Sequence, residues 1–89
     1  MEKHLDRVMD DVLSIPGVIG CVFADHQGLC LGAKGKATTE SAGIVGAMAE
    51  QAAKLEPQHK SPIIIFENDT CACIIQRSGT ITGAIYKNL

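Results

Sequence analysis

Residues 38–55, TTESAGIVGAMAEQAAKL, read as a helix whose apolar surface is too wide for a single packing job. At about 100° per residue, Ile44, Val45, Met48, Ala52 and Leu55, with Ala42, Gly46, Ala49 and Ala53 beside them, fan across an arc of roughly 200°. One sheet face takes about half of that. Glu40, Glu50, Gln51 and Lys54 are pressed into the other side with Gly43 and Ala47. The helix is therefore expected to touch two things: its own sheet, and either a further element of the chain or a second protein. The small residues at 42, 46, 49 and 53 let another backbone come close.

The remaining length is short of material to cover such a helix. A chain of 89 residues makes one domain, residues 1–89. At this size folding buries only about 60–65% of the unfolded surface, so a partner adds usefully to a modest stability. Charges are mixed along the chain and sum to −2, which argues against a nucleic-acid or anionic-membrane surface. Phe23, Phe66 and Tyr86 are the only aromatics, too few for a base-stacking platform.

No apolar run reaches the length of a membrane span, so direct membrane insertion is not expected. Glu2 stands where myristoylation needs Gly, and the final YKNL is no prenylation box. Membrane residence would have to be borrowed from a partner. Without a secretion signal, Cys21, Cys30, Cys71 and Cys73 are read as free thiols in a reducing compartment.

In chain order, Leu5, Val8, Met9, Val12 and Leu13 recur at i, i+3, i+4, i+7 and i+8, one clean helical face that Pro16 and Gly17 terminate. Residues 18–24 and 29–34 are β-rich runs separated by Asp25-His26-Gln27-Gly28, which predicts a hairpin. With His26 and Gln27 at the tip, Phe23 faces Cys30 and Cys21 faces Gly32. The two cysteines would then share a face diagonally, about 7–8 Å apart and unsuited to a bridge. Thr38 or Thr39 caps the central helix, and Pro57 marks its end. Strands are expected at 63–66, 71–76 and 80–86, with turns at Asn68-Asp69-Thr70 and Ser78-Gly79.

The order αββαβββ with short turns implies a five-stranded, largely antiparallel sheet with two helices. The run Ile63-Ile64-Ile65-Phe66 has no polar alternation, so it should be covered on both faces. At a sheet edge, its unpaired N–H and C=O groups would invite another chain's strand. Gatekeeping charge stands only outside it, at Lys60 and Glu67.

Asp25-His26-Gln27-Gly28-Leu29-Cys30-Leu31-Gly32, then Ser41-Ala42-Gly43, then Glu50-Gln51-Ala52-Ala53-Lys54-Leu55, in this spacing, resemble the small roadblock-type subunits of the Ragulator complex. The similarity runs over nearly the whole chain. It implies a roadblock/longin-like α/β domain of the short form without a carboxy-terminal helix. Such domains pair their third strands into one continuous sheet while their second helices pack side by side. Here those elements are residues 63–66 and 39–55. The resemblance further implies a heterodimer with a second small roadblock subunit. That dimer would be held beside a second roadblock pair by a lipid-anchored scaffold at the lysosomal or late endosomal surface. The assembly would recruit Rag GTPases in amino-acid signalling to TOR complex 1. The alternative is a self-associating roadblock homodimer that regulates another GTPase or a dynein-type motor.

Rival chemistries fare worse. Gly32-Ala33-Lys34-Gly35-Lys36 fails as a phosphate loop, because Cys30 stands where Gly is required and Ala37 where Ser or Thr is required. Cys71-x-Cys73 lacks the usual zinc spacing and would need two further ligands, such as His59 or His26; small buried hydrophobes are the simpler reading. A cysteine nucleophile needs a positioned base, and His4, His26 and His59 all lie in solvated segments. No catalytic residue, cofactor site or metal site is assigned. The expected core is Leu5, Val8, Val12, Val22, Leu29, Leu31, Ile74, Ile81 and Ile85. The expected dimer contacts are Ile44, Ala47, Met48, Gln51, Ile63, Ile64, Ile65 and Phe66.

Overall fold

The computed structural model describes residues 2–55, 57–58 and 62–89. Helix α1 (Glu2–Leu13) is followed by strands β1 (Val18–Ala24) and β2 (Cys30–Gly35), helix α2 (Thr39–Leu55), and strands β3 (Ile63–Glu67), β4 (Cys71–Ser78) and β5 (Ile81–Asn88). The strands form one sheet in the order β2-β1-β5-β4-β3, antiparallel throughout. This is the expected αββαβββ architecture, with β3 at one edge and β2 at the other.

The two helices lie on opposite faces, and the registers show which residues serve each. Val22, Ala84, Ile75 and Ile64 form one cross-strand row, and paired residues share a face. Ala42, Val45 and Ala49 of α2 pack down on that row, and Ala24 and Ala37 complete the cluster. Most of these side chains are alanine, so α2 sits low on the sheet, and the core is made by close approach more than by bulk. The helix begins at a reciprocal cap: the Thr38 hydroxyl accepts the N–H of Ser41, and the Ser41 hydroxyl accepts the N–H of Thr38.

On the other face, α1 covers β1 and β2 alone. Met9 is its one fully buried side chain among those described, seated over Gly32 where a Cβ would strike the Met9 methyl group. The Cys21 thiol donates to the Met9 carbonyl at 4.0 Å. At the rim Lys34 donates to Asp10 at 2.7 Å and stands 3.9 Å from Asp6.

Two features of the hairpin differ from expectation. The Asp25 carboxylate accepts the N–H groups of both Gln27 and Leu29, and Gly28 takes φ 82°, so the loop is longer than a two-residue tip. Pairing starts at Ala24 with Cys30 and continues at Phe23 with Gly32, leaving Leu31 as the extra residue of a bulge. Leu29 and Leu31 are therefore exposed instead of in the core. Cys21 faces Lys34, not Gly32, and it lies on the α1 side while Cys30 packs on the α2 side. The two thiols do not share a face.

Of the remaining expected core, Val22 is fully buried, whereas Leu5, Val8, Val12, Ile74, Ile81 and Ile85 are half-buried. The reason is that α1 leaves its side of β3, β4 and β5 uncovered. The expectation that residues 63–66 are covered on both faces fails within the chain, where Ile63 and Ile65 are each 59% exposed.

Candidate interaction surface

The surplus apolar surface of α2 and the free edge of β3 adjoin. With Ala42, Val45 and Ala49 turned to the sheet, the helical period carries Ile44, Ala47, Gln51 and Leu55 outward. Ile44 is 60% exposed and Leu55 85%. Between this face and β3 runs an open, mostly apolar groove of about 470 Å³, lined by Ile44, Ala47, Met48, Gln51, Ala52, Ile64 and Phe66.

Six of the eight expected contact residues thus line one groove. The other two, Ile63 and Ile65, lie on the same strand but point to the opposite side. The register with β4 decides this: Ile64 pairs with buried Ile75 and Phe66 with Cys73, whereas Ile63 pairs with Gln76 and Ile65 with Ile74. Ala52 is a lining residue that the expected contacts omit, although it belongs to the wide apolar arc.

Phe66 connects the groove to a smaller cleft toward the start of α2, where Ser41, Met48, Cys73 and Tyr86 meet. Cys73 lines this cleft, and Cys71 stands two residues earlier on the same face of β4. Burial pushes the Cys73 thiol up from its ordinary value, against a weaker pull downward from a hydrogen bond with Tyr86. Such a thiol is a poor nucleophile, since attack needs the thiolate. Burial likewise raises Cys21, opposed by Lys34 and reinforced by Asp10. His4 and His26 are exposed, and His59 lies outside the described residues. Among the described residues no three His, Cys, Asp or Glu side chains converge on a common point. No helix among them is long and apolar enough to cross a membrane.

The sheet's two edges are unlike. β2 carries the bulge at Leu31, ends at Gly35 with φ 67°, and has its one cation folded back onto α1. These devices disfavour strand addition. β3 pairs regularly with β4 along its whole length, with no bulge and no charge before Glu67. An apolar, regular edge beside an apolar groove can receive a strand and a helix together.

The chain matches the family model described as Ragulator complex protein LAMTOR5 over residues 1–87. It is 43% identical to the Ragulator complex protein LAMTOR5 homolog of Nematostella vectensis over 88 residues, spanning 98% of this chain and 97% of that one. It is 31% identical to Ragulator complex protein LAMTOR5 of Xenopus tropicalis over the same shares of the two chains. Among solved structures it superposes on a roadblock/LC7 domain from Streptomyces avermitilis with a TM-score of 0.83 at 12% identity, covering 93% of this chain and 77% of that one. It also superposes on MglB of Myxococcus xanthus with a TM-score of 0.83 at 15% identity, covering 98% and 71%. At these identities the structural neighbours speak to the fold alone.

Proposed function

The chain belongs to the Ragulator complex protein LAMTOR5 family, and from that premise we propose that it is a non-catalytic scaffold subunit that acts by pairing with a second small roadblock subunit. The partner's third strand adds to β3, and its second helix lies along the outer face of α2. Ile44, Ala47, Met48, Gln51, Ile64 and Phe66 are the contacts made inside the groove, with Ile63 and Ile65 buried on the opposite side of the joined sheet. The pair is held at the lysosomal surface with a second roadblock pair by a lipid-anchored scaffold. There the assembly recruits and regulates Rag GTPases in amino-acid signalling to TOR complex 1.

One observation supports the pairing mode above the rest: the free edge of β3 and the surplus apolar face of α2 border the same groove. The test is the solution mass of the chain alone and mixed one-to-one with a small roadblock subunit of the Ragulator, for the wild type and for Ile44→Asp. A one-to-one complex that Ile44→Asp abolishes is the expected result. A chain that ignores the partner, or a complex indifferent to Ile44→Asp, refutes this reading. A stable dimer of the chain with itself would favour the homodimer instead.

A further inference from the structure

Glu67 is the last residue of β3 and the strand's only charge. It pairs with Ala72, which pairs in turn with Lys87, so the nearest cation in that cross-strand row stands two strands away, about 10 Å. Among the described residues no ion pair includes Glu67; the two that form both belong to Lys34. Among the described residues its carboxylate therefore has no partner of its own at this edge.

What it would meet across that edge follows from register parity. Residues directly opposed in an antiparallel pair point to the same face. If a second copy adds its β3 with both α2 helices on one side of the joined sheet, odd-numbered residues must oppose odd-numbered ones. Within β3 those are Ile63, Ile65 and Glu67. In each such register Glu67 faces an isoleucine, faces its own counterpart, or runs past the strand end. Within β3 a second copy offers it no cation, at either of the two sites related by the two-fold axis.

On the pairing mode proposed above, we infer that Glu67 makes this edge select a different chain over a second copy of itself. The strand that fits carries Lys or Arg at the position opposed to Glu67. Opposite-charge pairs directly across two strands are favourable, and a carboxylate set against isoleucine forgoes that gain. A mixed dimer holds one such pair and a dimer of two copies holds none, so the expected discrimination is about threefold in dissociation constant.

The chain can serve as its own probe, because Ile63 and Ile65 are each exposed enough in the single chain to accept lysine, and a glutamine at the same position controls for the isoleucine contact given up in the pair. Sedimentation equilibrium of wild type mixed with Ile63→Lys, and of wild type mixed with Ile65→Lys, should show one mixture dimerising about threefold more tightly than the matching mixture with Ile63→Gln or Ile65→Gln, since the mixed dimer holds one Lys–Glu67 pair. That gain should vanish when Glu67→Gln replaces wild type. No gain in either mixture, or a gain that survives Glu67→Gln, overturns the assignment. The pairing mode fails separately: it falls if Ile44→Asp binds a small roadblock subunit as wild type does. If Ile44→Asp abolishes that binding while neither lysine mixture gains, only the role of Glu67 falls.

Discussion

A Cβ added to Gly46 would stand 3.2 Å from the Cα of Gly28, so the β1–β2 loop rests directly on the backbone of α2. One turn earlier, Gly43 has open space where its Cβ would go. The two helical glycines should therefore respond differently. Gly43→Ala should stabilise the chain by about 0.5–1 kcal/mol through helix propensity. Gly46→Val should destabilise it by about 1–3 kcal/mol, since backbone lies against it and cannot swing aside. Thermal unfolding of both variants decides the matter. Equal responses would mean that the loop does not rest on α2.

Ile44 is exposed in the single chain, so Ile44→Asp should cost little in folding, within about 0.5 kcal/mol. In the proposed pair the same aspartate is buried without a counter-charge, and association should weaken by about 3 kcal/mol or more. Urea unfolding and a binding titration measured side by side separate the two effects. A large folding loss with unchanged binding would place Ile44 in the core.

The docking of α1 rests on Met9 far more than on the ion pairs at its rim. Met9→Ala should cost about 2–5 kcal/mol, because the side chain is fully buried over Gly32. Lys34→Gln removes a pair whose carboxylates are largely solvent-exposed, and pairs of that kind are worth less than about 1 kcal/mol. A larger loss for Lys34→Gln than for Met9→Ala would reverse the order.

Stability should decline as pH rises past about 9, the ordinary value of a thiol. Burial keeps the Cys21 and Cys73 thiols protonated in the fold beyond the pH at which the unfolded chain releases those protons, so rising pH favours the unfolded chain. Lys34 is raised above its usual 10.5, chiefly by its hydrogen bond to Asp10, and its contribution is lost at still higher pH. Urea midpoints at neutral pH and at about pH 10 should differ, and the difference should shrink in a Cys21→Ala/Cys73→Ala chain. Identical midpoints in the wild type would contradict this.

The elements and their order were legible because their signals are local. The i, i+3, i+4 recurrence in α1, the wide apolar arc of α2 and the turn residues before β4 and β5 each needed only a few neighbouring residues. The same arc holds three of the groove's α2 residues, Ile44, Met48 and Ala52. What could not be read is pairing. The Asp25 carboxylate caps two backbone N–H groups, which lengthens the loop and moves Leu29 and Leu31 out of the core. A count from Ala24 gives no sign of that. Residues 63–66 carry no alternation, so only the register with β4 assigns Ile64 and Phe66 to the groove and Ile63 and Ile65 to the far side. The small residues at 42 and 49 signal close approach, but nothing local says that what they approach is the chain's own sheet at Val22, Ala84 and Ile75.

The bulge in β2 has a consequence for assembly size. A sheet open at both edges behaves like a monomer with two reactive ends and grows without limit, as fibres do. Here one end is blocked by Leu31 and Gly35 and the other, at β3, is left reactive. Such a molecule is a chain stopper: two of them, or one and a similarly blocked relative, react once and leave no edge on which a third can add.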